Sequence, residues 1–346
     1  SFPINGLYLF LALIFYSAYL IMEGVIMKLG VLTALFGDQP LEKALDFIKK
    51  AGLDAIELGA GNFAPTSHCD PDILLNDDKE FDKFKKIIAD SGLIISSLSC
   101  HGNPVHPVPE VAKENIEAQH KAILLAEKLG LDVVNAFSGC PGDSDSSKHP
   151  NWVTCPWPPY FLEILEWQWE KKVIPFWKEE NDFLKEHNVR IALEMHPGFV
   201  VYNTETLLKL RSAAGEQIGA NFDPSHLFWQ GIDPIASIRK IGKAIFHIHA
   251  KDTKVCPYNT PVNGVLDTKH YGDEINRSWI FRTVGYGHDY GFWKDFVSTL
   301  RMVGYDGVLS IEHEDSLMSA NEGFLKAVAF LKQVLLTEKL GAMWWA

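Results

Sequence analysis

Little in this sequence is arranged for cross-linking. The five cysteines (Cys69, Cys100, Cys140, Cys155, Cys256) are an odd number with no close pair of metal-binding spacing. That argues against a disulfide framework and reads as the reduced thiols of a cytoplasmic protein. Positive charge is also scarce: 32 Lys and Arg stand against 44 Asp and Glu, a formal net charge of −12. A nucleic-acid partner needs the opposite sign, because phosphate contacts supply most of its affinity; a small anionic ligand needs only a local cluster. A glycine-rich phosphate loop is missing after the first strand-like run, which disfavours an open dinucleotide-binding sheet. A basic flank is missing ahead of the apolar run from Gly6 to Met22, so that run lacks the first region of a signal peptide. At seventeen residues it is also at the short limit for a membrane span, and no charged stop-transfer flank follows it.

What is present is a repeat. From Met27 onward an apolar run is followed by a polar loop and an amphipathic helix that stops at Gly52, Gly92, Gly130, Asn188, Gly215, Gly242 or Gly304. Gly and Asn tolerate the left-handed conformation that ends helices. The strand runs are KLGVLT, DAIELG, LIISSLS, LDVVNAF, VRIALE, QIGANF, AIFHIH and GVLSIE. Eight strands alternating with helices predict a parallel sheet closed as a (β/α)8 TIM barrel. We expect residues 27–346 to form that single catalytic domain and residues 1–26 to be a leader or non-native segment; a membrane anchor is the competing reading.

Loops are long after the fourth and seventh strands. The first spans residues 138–159; the second holds NRSWIFRTVGYGHD, residues 276–289. Their Trp152, Trp157, Trp279 and Tyr286 predict ordered walls, and a sugar ring packs well on such faces. A last helix is expected from Glu322 to Leu336. The apolar tail Met343-Trp344-Trp345-Ala346 would dock on this subunit or on a second copy in a homo-oligomer.

Four consecutive strand runs end in candidate metal ligands: Glu194, then Asp223 with His226, then His249, then Glu312. In a parallel barrel the C-terminal strand ends share one mouth. Each residue has an ordinary alternative: a salt bridge for Glu194, a helix cap for Asp223, core packing for His249, solvent for Glu312. Together, three buried carboxylates would be costly without a cation. One imidazole with three carboxylates suits Mn²⁺, with Mg²⁺ or Co²⁺ as alternatives, better than structural zinc. By strand alternation His247, His249 and Lys251 share one face, as do Ser310, Glu312 and Glu314. Lys251 and Glu314 would reach the substrate or the rim. Glu57 and His101 approach from the far side or are an interior polar residue and a loop histidine.

The set Glu194, Asp223-x-x-His226, His249 and Glu312, with HIHAKD and VGYGHD, resembles the xylose-isomerase-like TIM barrels. More narrowly it resembles the sugar phosphate isomerase/epimerase family, and the likeness covers Met27 to Leu336. That resemblance implies Glu194, Asp223, His249 and Glu312 as metal ligands, Glu194 and Glu312 also as the acid/base pair, and His226 as a substrate-oxygen contact. Ketose 3-epimerases of that group carry a further glutamate and arginine where this chain has Val200 and Val255; Arg277, Arg282 or Lys251 would have to replace the cation. The expected activity is a divalent-metal-dependent sugar isomerase/epimerase working by enediolate proton transfer on a keto-sugar or inosose. The alternative is a lyase cleaving 3-oxo-glycosides by β-elimination, like the large subunit of C-glycoside deglycosidases, which would bring a small β-rich partner subunit. A phosphodiesterase like endonuclease IV would need more histidines and a basic face; a non-catalytic sugar-binding barrel would bind without turnover.

Overall fold

The computed structural model describes residues 26–345; the expectations for the 1–26 segment fall almost entirely outside them. Eight strands close into one barrel. They are β1 (Lys28–Leu32), β2 (Ala55–Gly59), β3 (Ile94–Ser99), β4 (Val133–Ala136), β5 (Arg190–Glu194), β6 (Ile218–Phe222), β7 (Ile245–Ala250) and β10 (Val308–Ile311). Every neighbouring pair is parallel, and β10 closes the ring against β1, Lys28 opposite Val308. Two further strands, β8 (Asp252–Val255) and β9 (Trp279–Arg282), form an antiparallel ribbon inside the loop that follows β7. Among the described residues no helix is long and apolar enough to cross a membrane.

Local chemistry explains the rhythm. In the helix Leu41–Lys50, Ala44, Leu45 and Ile48 recur at helical spacing and are buried. Asp77 caps the helix Asp78–Ser91 by accepting the amides of Lys79 and Glu80. Each of the seven helix stops named above has a positive φ; Asn188, at +53°, is the one that is not glycine. The last helix is Ala320–Leu331, shorter than expected: Ser319 caps its start by accepting the Glu322 amide.

Alternation sorts the barrel's two faces. Ile56, Leu58, Leu98, Val134, Leu193, Ile248 and Leu309 are buried within the apolar core cluster. The facing set, Glu57, Ser97, Ser99, Asn135, Asn221, His247, His249 and Ser310, is also buried and hydrogen-bonded strand to strand across the barrel interior. The interior is therefore polar, where a barrel is more often filled by aliphatic layers. The ladder shifts register at Ile56/Glu57 and at Ala220/Asn221, the two places where an interior acid or amide must be re-aimed.

The loop after β7 is ordered from within. Buried Asp252 accepts the amides of Gly285, Gly287 and His288 and the His288 Nδ1–H. Gly287 is glycine of necessity, because an added Cβ would lie 2.4 Å from the Asp252 carboxylate. Trp279 stacks on Trp229, centroids 4.9 Å apart, and Trp152 meets Tyr202 edge-on. Trp157, by contrast, is exposed.

Candidate metal centre and active site

At the C-terminal mouth, Glu194, Asp223, His249 and Glu312 each offer one ligand atom, and these atoms all lie within 4.8 Å of one another. Glu194 is the last residue of β5, Asp223 follows β6, His249 is in β7 and Glu312 follows β10. Asp223 fills the capping role and keeps its second oxygen free of that role. Its Oδ1 accepts the Ser225 amide at 2.8 Å, starting the turn Ser225–Phe228, while its buried Oδ2 finds no hydrogen bond of acceptable geometry. Lys251 Nζ and His226 Nε2 merely approach that oxygen, at 3.2 and 3.3 Å.

His249 is held at both ring nitrogens. Nε2 donates to Glu57 Oε1 at 2.9 Å, which leaves Nδ1 facing Glu312 Oε2 at 3.0 Å and Glu194 Oε2 at 3.2 Å. Glu57 is itself saturated by Ser99, Asn135 at 2.9 Å and Ser310 at 2.5 Å. Burial raises the Glu57 carboxyl, but the imidazoles of His249 and His247 outweigh it and hold the group well below the usual range. Burial likewise opposes ionisation of Glu194, and the hydrogen bonds from His101, His226 and His249 reverse the sign. His101 Nε2 lies 3.1 Å from Glu194 Oε2, and His226 Nε2 lies 3.0 Å from Oε1.

Lys251 is buried, with Nζ 2.9 Å from Glu312, 3.0 Å from Glu314 and 3.2 Å from Asp223. Burial would lower its pKa, yet these carboxylates hold it well above the ordinary lysine value. Arg282 takes a different position: it donates to Asp315 at 3.0 Å and lies over Tyr286, with no hydrogen bond to the four-residue cluster. Arg277 is committed too, donating to the Trp279 and Lys269 carbonyls between the rings of Tyr271 and Trp279.

The residues fit a hard divalent cation. Three carboxylates converge on one imidazole whose far nitrogen is already anchored, and one carboxylate oxygen is left without a donor. Two other groupings share members with this one. Glu57, His247 and His249 are near enough to hold an ion. However, serine and asparagine side chains already occupy Glu57 and both nitrogens of His247, so this layer reads as support for the layer above it. Glu194, His196 and His226 form the third; with a single carboxylate it carries less charge for an ion to balance.

Sequence reading passed over His196, which lies against His226 with centroids 4.1 Å apart and which burial pushes down to about 3, an uncharged ring. It also passed over Asn221, whose amide lies 3.3 Å from Glu194 Oε2. Asn221 stands two residues before Asp223, so strand alternation was the available signal.

Comparison with known proteins places this geometry. The family model described as "Xylose isomerase-like TIM barrel" matches residues 45–334. The chain is 39% identical over 312 residues to the uncharacterized protein YfiH of Bacillus subtilis (strain 168), covering 89% of this chain and 99% of that one. Among solved structures, the probable 3-DHS dehydratase AsbF from Bacillus anthracis, involved in petrobactin synthesis, superposes with a TM-score of 0.63 at 17% identity, covering 88% of this chain and 99% of that one. A D-psicose 3-epimerase determined in the presence of D-fructose gives 0.58 at 15%, covering 89% and 99%. Family match and closed barrel agree, and the chain belongs to the xylose isomerase-like TIM barrel family.

Proposed function

We propose that the protein is a divalent-metal-dependent sugar isomerase or epimerase that moves a proton next to a substrate carbonyl. The observation that carries this reading is the convergence of Glu194 and Glu312, from strands separated in the ring by β6 and β7, on the same nitrogen of His249. A divalent ion, Mn²⁺ in the first instance, held by Glu194, Asp223, His249 and Glu312 would polarise the substrate carbonyl and its neighbouring hydroxyl. Glu194, kept ionised by His101 and His226, is a competent base for the carbon acid between them. Glu312 is ionised beside the Lys251 ammonium, so the proton returned from the other side would pass from Lys251 through Glu312, and solvent would restore it. Return to the opposite face of the same carbon is epimerisation; return to the adjacent carbon is isomerisation. In this reading His226 and His101 hold substrate oxygens, while Lys251 and Arg282 would join them only by loosening their carboxylate partners.

The relationship to a protein named a 3-epimerase supports this reading. One named a dehydratase supports a second, in which the same enolate expels a β leaving group, as in cleavage of a 3-oxo-glycoside. Both begin with abstraction of the same proton. In D₂O, with a panel of ketoses, inososes and 3-oxo-glycosides, deuterium should enter at the carbon beside the carbonyl. Glu194→Gln or Glu312→Gln should abolish that exchange or block product. Turnover with no solvent deuterium in substrate or product would reject proton transfer in favour of a hydride shift. The identity of the product separates epimerase from lyase.

A further inference from the structure

Beside the proposed catalytic cluster lies a cavity of about 320 Å³ lined by His196, Tyr271, Ile280, Phe281, Glu314 and Ser316. Three contacts join cavity and cluster. Glu314 is ion-paired to Lys251, the Phe281 ring stands edge-on to His226 with centroids 5.4 Å apart, and His196 packs on His226. A substrate held at the cluster therefore extends into this cavity. Its walls have two properties that bear on what extends there.

The first is charge. None of the six lining residues is Lys or Arg, and the ionised one is Glu314. The cations nearest the wall are already engaged: Lys251 by three carboxylates, Arg277 by two carbonyls and two rings, Arg282 by Asp315. A second depression at the same end of the barrel, formed by residues 34–39, 65–67 and 319–321, also contains no Lys or Arg. A phosphate brought here would lie near carboxylates with no free cation to pair it, an arrangement that costs affinity in a partly desolvated pocket. The second property is apolar surface. Phe281 of β9 and Tyr271 of the loop before it stack, centroids 5.6 Å apart at 22°, and Ile280 adjoins them, although they border the polar four-residue cluster. Tyr271 is about half exposed, at 51%, with Arg277 over its ring and Phe281 stacked on it, so a ligand would meet the exposed edge of this stack.

We propose that the substrate is an unphosphorylated sugar carrying an apolar, aryl-type substituent, with the sugar ring at the metal centre and the substituent on the Tyr271–Phe281 wall. This rests on the sugar-converting role proposed above and adds the substrate class to it.

Binding measured by saturation-transfer NMR on the full chain with Mg²⁺, which unlike Mn²⁺ is diamagnetic and leaves ligand signals sharp, tests it apart from turnover. The probes are methyl β-D-glucopyranoside, phenyl β-D-glucopyranoside and D-glucose 6-phosphate. The phenyl glycoside should bind about tenfold more tightly than the methyl glycoside, a gain typical of burying part of one ring, with strongest transfer to its aryl protons. The phosphate should bind more weakly than either. Tyr271→Ala should bring the phenyl glycoside close to the methyl one, and Phe281→Leu, which keeps the core filled, should do so in part. Equal binding of the two glycosides, tighter binding of the phosphate, or no binding of any probe would overturn the proposal. An aryl preference without deuterium exchange on any substrate sinks the proton-transfer reading and leaves this one; exchange on a sugar phosphate does the reverse.

Discussion

In the proposed metal site Asp223 and His249 each use two atoms for two different purposes, which lets mutation separate the purposes. Asp223→Asn keeps an Oδ1 acceptor for the Ser225 amide but removes the charge at Oδ2. It should lose most bound metal, measured by elemental analysis after dialysis, while circular dichroism stays unchanged. Glu57→Gln changes the partner at the far end of His249 without touching the four-residue cluster itself, and Mn²⁺ affinity by calorimetry should fall about 10–100-fold, the usual consequence of removing the partner that orients a ligand histidine. An unchanged affinity would make Glu57 a packing residue. His226→Ala should retain the ion and lose about 10²-fold or more in turnover if the ring assists proton transfer. Loss of metal in step with activity would make His226 a ligand. The four proposed ligands could be picked out in the sequence because each stands where an apolar strand run stops, and the fold brings them together. Glu57 was visible as a strand acid, but its attachment to His249 was not, since the two residues meet only across a closed barrel.

At the scale of elements, the eight barrel strands were readable from period-two apolar runs bounded by Gly or Asn. The β8–β9 ribbon was not, because its pairing of Asp252 with Arg282 spans a polar, aromatic-rich loop with no short turn signal. That loop is held at its far side by Asp267, which accepts the amides of Lys269 and Ser278 and the Lys269 ammonium. Burial raises the Asp267 carboxyl, but these donors win and bring it down to about 2 from an ordinary 3.8. A depressed folded-state pKa contributes stability that is complete above the ordinary value and disappears as pH falls from there through the folded one. Acid titration should therefore loosen the loop between about pH 4 and pH 2. Trp279 reports on it, since its indole donates to the Val265 carbonyl two residues before Asp267. Asp267→Asn should abolish that step in the fluorescence titration and leave the loop more easily nicked by protease at neutral pH.

For the whole molecule, if the carboxylate cluster holds a divalent cation as proposed, that cation favours the folded state. A ligand that binds only the native form stabilises by RT ln(1 + [L]/Kd), about 2.7 kcal/mol at a hundredfold excess over Kd. Chelation should accordingly lower the melting temperature, and Mn²⁺ should restore it in wild type but not in His249→Ala. An equal rise in both proteins would place the binding elsewhere. Closure of the barrel adds a constraint of timing. The strand that seals the ring, β10, pairs with β1, the first barrel strand made. It is followed at once by Glu312, the last of the four ligands. As the chain leaves the ribosome from its N-terminus, β1 must keep one edge unpaired until β10 arrives, an exposure that invites misassociation. In the proposed site the grip on the ion would be completed only by that arrival, so the ion would act as a latch on the finished ring, with little hold on any nascent fragment that stops short of Glu312.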